Sequence, residues 1–143
     1  MDVAELRKLI QREIQDAKND AVERRRIIDA AQLAYDDVLR QRVVPLLRQT
    51  VTVLAAEGMG FQTFAPAGSA RLVSDRSAQE FIEFDLDATA TPPQIVGRVS
   101  LARGRQGVIV DERPVAPGLP LTDINDDHLL AFLLPAIRKL IAR

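Results

Sequence analysis

Residues 2–57 read DVAELRKLIQREIQDAKNDAVERRRIIDAAQLAYDDVLRQRVVPLLRQTVTVLAAE, a stretch without glycine and with one proline, Pro45. From Ile10 its apolar residues fall three and four apart, at Ile14, Ala17, Ala21, Ile28, Ala31, Tyr35 and Val38, with Arg24 the one charge in the series. That spacing gathers them on one face of a helix. Asp2 and Glu5 stand at capping-box spacing, and Gly58 supplies a left-handed stop after Glu57. Asp20 with Arg24 and Asp36 with Arg40 each set an acid four residues before a base, an arrangement that supports a helix.

A straight helix over 2–57 runs to about 80 Å. A compact domain of this size is nearer 40 Å across, on a radius of gyration of about 14–15 Å. Either Pro45 bends the helix, or its first part projects and is covered by another chain. Val44, before the proline, is biased away from helical geometry, yet no Ser, Thr, Asp or Asn precedes Pro45 to cap a fresh helix. A kinked helix is therefore expected rather than two separate ones.

Working outward, the period drops to two after Gly58. Gly60 to Phe64 reads as a short strand ended by Pro66 and Gly68, with Arg71–Ser74 as its hairpin partner, and residues 65–77 are weakly patterned enough to form a mobile loop. Ile82, Phe84 and Leu86 alternate with Glu83, Asp85 and Asp87, the signature of a half-covered strand. Ile95, Gly97, Val99 and Leu101 follow at the same period. Arg103-Gly104-Arg105-Gln106-Gly107 forms a turn into Val108-Ile109-Val110. Consecutive strands joined this way give an antiparallel meander. Pro114, Pro117 and Pro120 make a crossover, and the cap-rich run Thr122–Asp127 opens a last helix whose middle, Leu129–Leu134, is apolar nearly all round, as in a helix buried on more than one side. Arg138, Lys139 and Arg143 suit the negative end of its dipole.

The expected fold class is thus α+β: a long kinked N-terminal helix over 2–57, an antiparallel four- to five-stranded meander sheet over 59–113, and a C-terminal apolar helix over 126–142 packed on one sheet face. At 143 residues, 47% apolar and 27% charged, the chain is read as one domain over 1–143 with an ordinary core. A formal charge of −1 gives no bulk pull toward nucleic acid. The absence of cysteine removes disulfides and thiolate metal sites. MDVAELRK carries no apolar leader, and no apolar run is long enough to span a bilayer, so a cytoplasmic protein without a membrane is expected.

Chemistry is sparse. Asp123, Asp127 and His128 have ligand chemistry for a divalent metal, but residues 126–128 diverge around a helix and are explained equally by capping. Neighbouring carboxylates at Glu83, Asp85 and Asp87 can raise one another's pKa, but strand alternation alone produces them, as a solvated sheet face with Arg98 opposite on the next strand. The Arg103–Gly107 turn lacks the lysine and following helix of a phosphate loop. Arg24-Arg25-Arg26 sits between Glu23 and Asp29, which suits a solvated face better than a nucleic-acid surface. No serine stands in a nucleophile elbow. No cofactor is implied and no enzyme class emerges.

Three functions follow. The first is a non-enzymatic homodimeric interaction or adaptor module whose partner is unspecified, self-associating through Ile10, Ile14, Ala17, Ala21, Ile28, Ala31 and Tyr35. The alternative is a small-molecule cup, enzymatic or not, between sheet and helices, lined by Phe61, Phe64 and Phe84 and bent at Gly97. A third is weak DNA association through the Arg24 cluster.

Overall fold

A computed structural model describes residues 1–142; Arg143 lies outside them. The chain opens with α1 (Val3–Val38), passes through a π-helical turn at Leu39–Val43, and continues as α2 (Val44–Ala56). Asp2 caps the start, its carboxylate accepting from the Glu5 N–H at 2.7 Å. The expected acid–base pairs are replaced by neighbouring ones: Arg40 bonds Asp37 while Asp36 accepts from Gln32, and Arg26 takes Glu23 in place of a pair between Asp20 and Arg24. Pro45 does not end the helix. Just before it the Val44 N–H reaches back five residues to the Leu39 carbonyl, so the wider turn makes room for a ring that would otherwise meet the Gln41 carbonyl.

The same turn has a second effect. Tyr35, Leu39, Val43, Leu47 and Val51 face the core at steps of four. In an unbroken α-helix each step of four overshoots a full turn by about 40°, and the stripe would wind off the body. The extra residue in the π turn takes back roughly 100°, which keeps the buried face on one side.

Five strands follow in sequence order as an antiparallel sheet: β1 (Phe61–Phe64), β2 (Ser69–Ser74), β3 (Phe81–Asp87), β4 (Gln94–Ala102) and β5 (Val108–Pro114). Arg71–Ser74 is the hairpin partner of β1 as expected, within a longer strand that begins at Ser69, inside the segment 65–77 also read as a loop, and is closed at its start by the Ser69 N–H on the Pro66 carbonyl. Asn125 caps α3 (Asp126–Ile141), which runs through Pro135. α2 lies on β1 and β2, and α3 on β3 and β4.

Alternation divides the sheet into two faces. Toward the helices point Phe61, Leu72, Ile82, Phe84, Ile95 and Val99, which join Leu47, Leu54, Leu129, Leu133 and Leu140 in one core. Opposite Phe84, Gly97 leaves a gap that Phe132 fills: a Cβ at Gly97 would stand 2.4 Å from the Phe132 ring. The two phenyl rings meet edge to face at 5.6 Å, a preferred geometry for aromatic pairs. α3 buries Leu129, Phe132, Leu133, Ala136 and Leu140, all on one face, while Leu134 is 58% exposed. Within its own chain, then, this helix is covered on one side only, contrary to its sequence pattern.

Candidate functional site

The residues that read as an interface divide between two environments. Every residue from Val3 to Ile27 is exposed, so about seven turns of α1, roughly 38 Å at 1.5 Å per residue, extend as an arm. Ile10 and Ile14 are 50% and 49% exposed, and Ala17 and Ala21 lie open beside them. Ile28 and Ala31 are half covered. Tyr35 is fully enclosed by its own chain and donates its hydroxyl to the Gly68 carbonyl at 2.6 Å. Burial, and then the Asp85, Asp36 and Glu83 carboxylates, push that hydroxyl well above its usual pKa.

These residues form two seven-residue columns: Ile14, Ala21, Ile28 and Tyr35 in one, Ile10, Ala17, Arg24, Ala31 and Val38 in the other. Such columns are the seam of a helix that packs on another helix. The body covers the seam from Ile28 onward and leaves it bare before that.

At the root of the arm lies a groove of about 730 Å³ between Arg24, Ile27 and Ile28 on the helix and Thr91, Pro92 and Pro93 in the β3–β4 loop. The Arg24–Arg26 cluster is partly neutralised, Arg26 by Glu23 and Arg25 by Asp29 at 3.8 Å, with all four side chains mostly in water.

The residues of the proposed cup do not come together. Phe61, Phe84 and Gly97 are buried on the helix-covered face, whereas Phe64 is 51% exposed on the opposite one. The space a ligand would need at Gly97 holds the Phe132 ring. A surface groove of about 760 Å³ does remain at the sheet edge, between Val99, Leu101 and Ile109 below and Lys139 and Ala142 beside it. It is crossed by an ion pair of Lys139 with Asp111 at 3.0 Å, which holds the Asp111 carboxyl below its usual range.

Asp123 and Asp127 are exposed and diverge. His128 Nδ1 accepts from the Asn125 N–H, while the His128 N–H donates to the Asn125 side chain, both at 3.1 Å, a reciprocal cap. Among the described residues no three His, Asp or Glu side chains gather as a metal would require.

One constellation was half legible in the sequence, which sets Arg98 opposite the β3 carboxylates but does not bring in Arg71 or Glu112. On the open sheet face Arg71, Glu83, Arg98 and Glu112 stand in one row across four strands. Glu83 is clamped by Arg71 at 2.6 Å and Arg98 at 2.8 Å, and Arg98 also takes Glu112 at 2.7 Å and Asp85 at 3.2 Å. Burial opposes the Arg98 charge, but the hydrogen bonds it donates to Asp85 and Glu83 and the nearby carboxylate charges outweigh it and raise its pKa. Arg71 lies 3.9 Å over the Phe81 ring. Of the carboxylates that strand alternation brought together, Glu83 and Asp85 are thus held in ion pairs, while Asp87 accepts from the N–H and hydroxyl of Thr89. Only the pairing register brings in Arg71 and Glu112, and no local spacing announces them.

No protein-family model, curated protein or solved structure matches the chain. No helix among the described residues is long and apolar enough to cross a membrane.

Proposed function

We propose that this chain is a non-enzymatic interaction module that works as a homodimer, with the arm as its contact element. The observation that carries the reading is the seam of α1, whose body-facing third is buried and whose remaining two-thirds, bearing Ile10 and Ile14, stand in water. An isolated helix gains little from its own hydrogen bonds in water and relies on packing of its apolar face. Val3, Leu6, Leu9, Ile10 and Ile14 together make the kind of exposed apolar stripe that marks a contact surface. A second copy is the simplest partner, because an isologous pair covers both arms at once. The non-enzymatic part is supported by the engagement of Glu83 and Asp85 in ion pairs with Arg98.

Light scattering at micromolar concentration tests it: the expected mass is twice the 15.8 kDa of the chain. The double substitution Ile10→Asp/Ile14→Asp is expected to return a monomer with an unchanged fold by circular dichroism. A wild-type monomer at that concentration overturns the proposal.

A further inference from the structure

We propose that the two arms pair antiparallel, with Val3 of one opposite Ile28 of the second copy, so that the start of each arm seats in the groove at the root of the other. This inference rests on the homodimer reading and specifies its contact.

Charge alone favours the opposite orientation. Glu13 and Asp20 flank the seam on one side, Lys18 and Arg25 on the other. A parallel pair would set Glu13 beside Lys18 of the second copy and Asp20 beside its Arg25, the usual attraction between flanks of a parallel coiled coil. Space forbids it. From Ile28 to Val38 each seam is covered by its own body, and the rigid helix of a parallel partner would continue into that volume. In the antiparallel arrangement each body lies beyond the N-terminus of the other arm, and nothing collides.

Length then sets the register. The bare seam starts at Val3 and ends at Ile28. Placing these ends opposite each other makes Ile10 face Ala21, and Ile14 face Ala17, in both directions. Large thus meets small in each of these layers, the alternation that lets helices interlock. Leu6 comes beside Ile27 of the second copy, and with Val3 it enters the groove walled by Ile28, Pro92 and Pro93.

Two charge contacts need relief. Glu13 and Asp20 of the second copy come to the same side. Arg24 leans to that side of the seam, and helical side chains tilt toward their own N-terminus. Its guanidinium therefore reaches back between its own Asp20 and the second copy's Glu13. That movement also withdraws it from Arg7 of the second copy, which lies opposite and extends into solvent. Arg24 becomes the bridge between these acids, while Arg7, the other charge on the seam, stays in solvent.

The chain contains no cysteine, so single cysteines report contacts without background. Ile10→Cys and Ala21→Cys are prepared separately, mixed under reducing conditions and then oxidised. A disulfide-linked dimer is expected in the mixture and not in either variant alone, with Val22→Cys, on an exposed and off-seam position, as the unreactive control. Cross-linking of each variant with itself would indicate parallel arms and overturn the proposal. A species of dimer mass that fails to cross-link in the mixture would overturn the pairing while leaving the homodimer standing. A monomer mass would remove both.

Discussion

One helix face lives in two solvents. Around Tyr35 the seam is buried, packs on the 3₁₀ turn at Leu121–Asp123 and sets its hydroxyl on the Gly68 carbonyl between β1 and β2. Around Ile14 the same seam, at the same spacing, meets water. The difference lies in what is opposite. Body residues are held by partners distant in sequence, as Tyr35 is by Gly68, whereas the arm's side-chain bonds reach only three or four residues away, as in Gln15 with Asn19 and Arg26 with Glu23. The arm is locally sound and globally unfinished.

Substitutions separate the two regions by size of effect. Phe84→Ala strikes the enclosed side hardest: it removes the ring against Phe132, and loss of about 3–5 kcal/mol is expected in urea unfolding. Glu83→Ala leaves Arg71 and Arg98 facing each other's charge without their shared acid. Both guanidiniums are partly in water, so the expected loss is nearer 1–3 kcal/mol, read by the same titration. If it is nil, the row on the open face is a solvated surface and not part of the body's stability.

Tyr35→Phe deletes one hydrogen bond, about 1 kcal/mol, but its pH signature is sharper. The folded Tyr35 hydroxyl has a raised pKa, while in the unfolded chain it ionises near 10. Its contribution is therefore complete below about pH 10 and is lost as pH rises further, because only the unfolded chain can then release the proton. Melting temperature against pH is expected to fall on the alkaline side in the wild type and less steeply in Tyr35→Phe. Ile14→Ser is the smallest: below about 0.5 kcal/mol in dilute solution where arms are apart, yet with the concentration dependence of melting abolished. A large loss in dilute solution would mean that the arm belongs to the body after all.

Much of this was readable beforehand. Fifty-odd residues without glycine announced the helix, and Ile82, Phe84 and Leu86 announced a strand with one covered face. The failures share a cause. Arg71–Ser74 pairs with β1 as read, but its mixed local pattern also allowed a loop over 65–77, and only β1 and β3 on either side decide for the strand. Phe132 fills the place opposite Gly97 although the two are distant in sequence. Arg71 joins Glu83 only through register. Leu134 looks like core by composition and is in water. Periodicity reports which face of an element is apolar; it does not report what stands across from it.

The π turn at Leu39–Val43 gives the molecule an adjustable azimuth. Val3 to Ile27 are exposed, so the direction in which the arm's seam points is set by how the helix is seated and wound at its base. Deleting one residue from that turn would restore ordinary winding and swing the whole projecting segment by roughly 100° about its axis, with every side chain on it unaltered. Because Tyr35 and Val38 also lie before the turn, the same deletion would rotate them out of the core, so the aim of the arm and the burial of its root are tied to one residue.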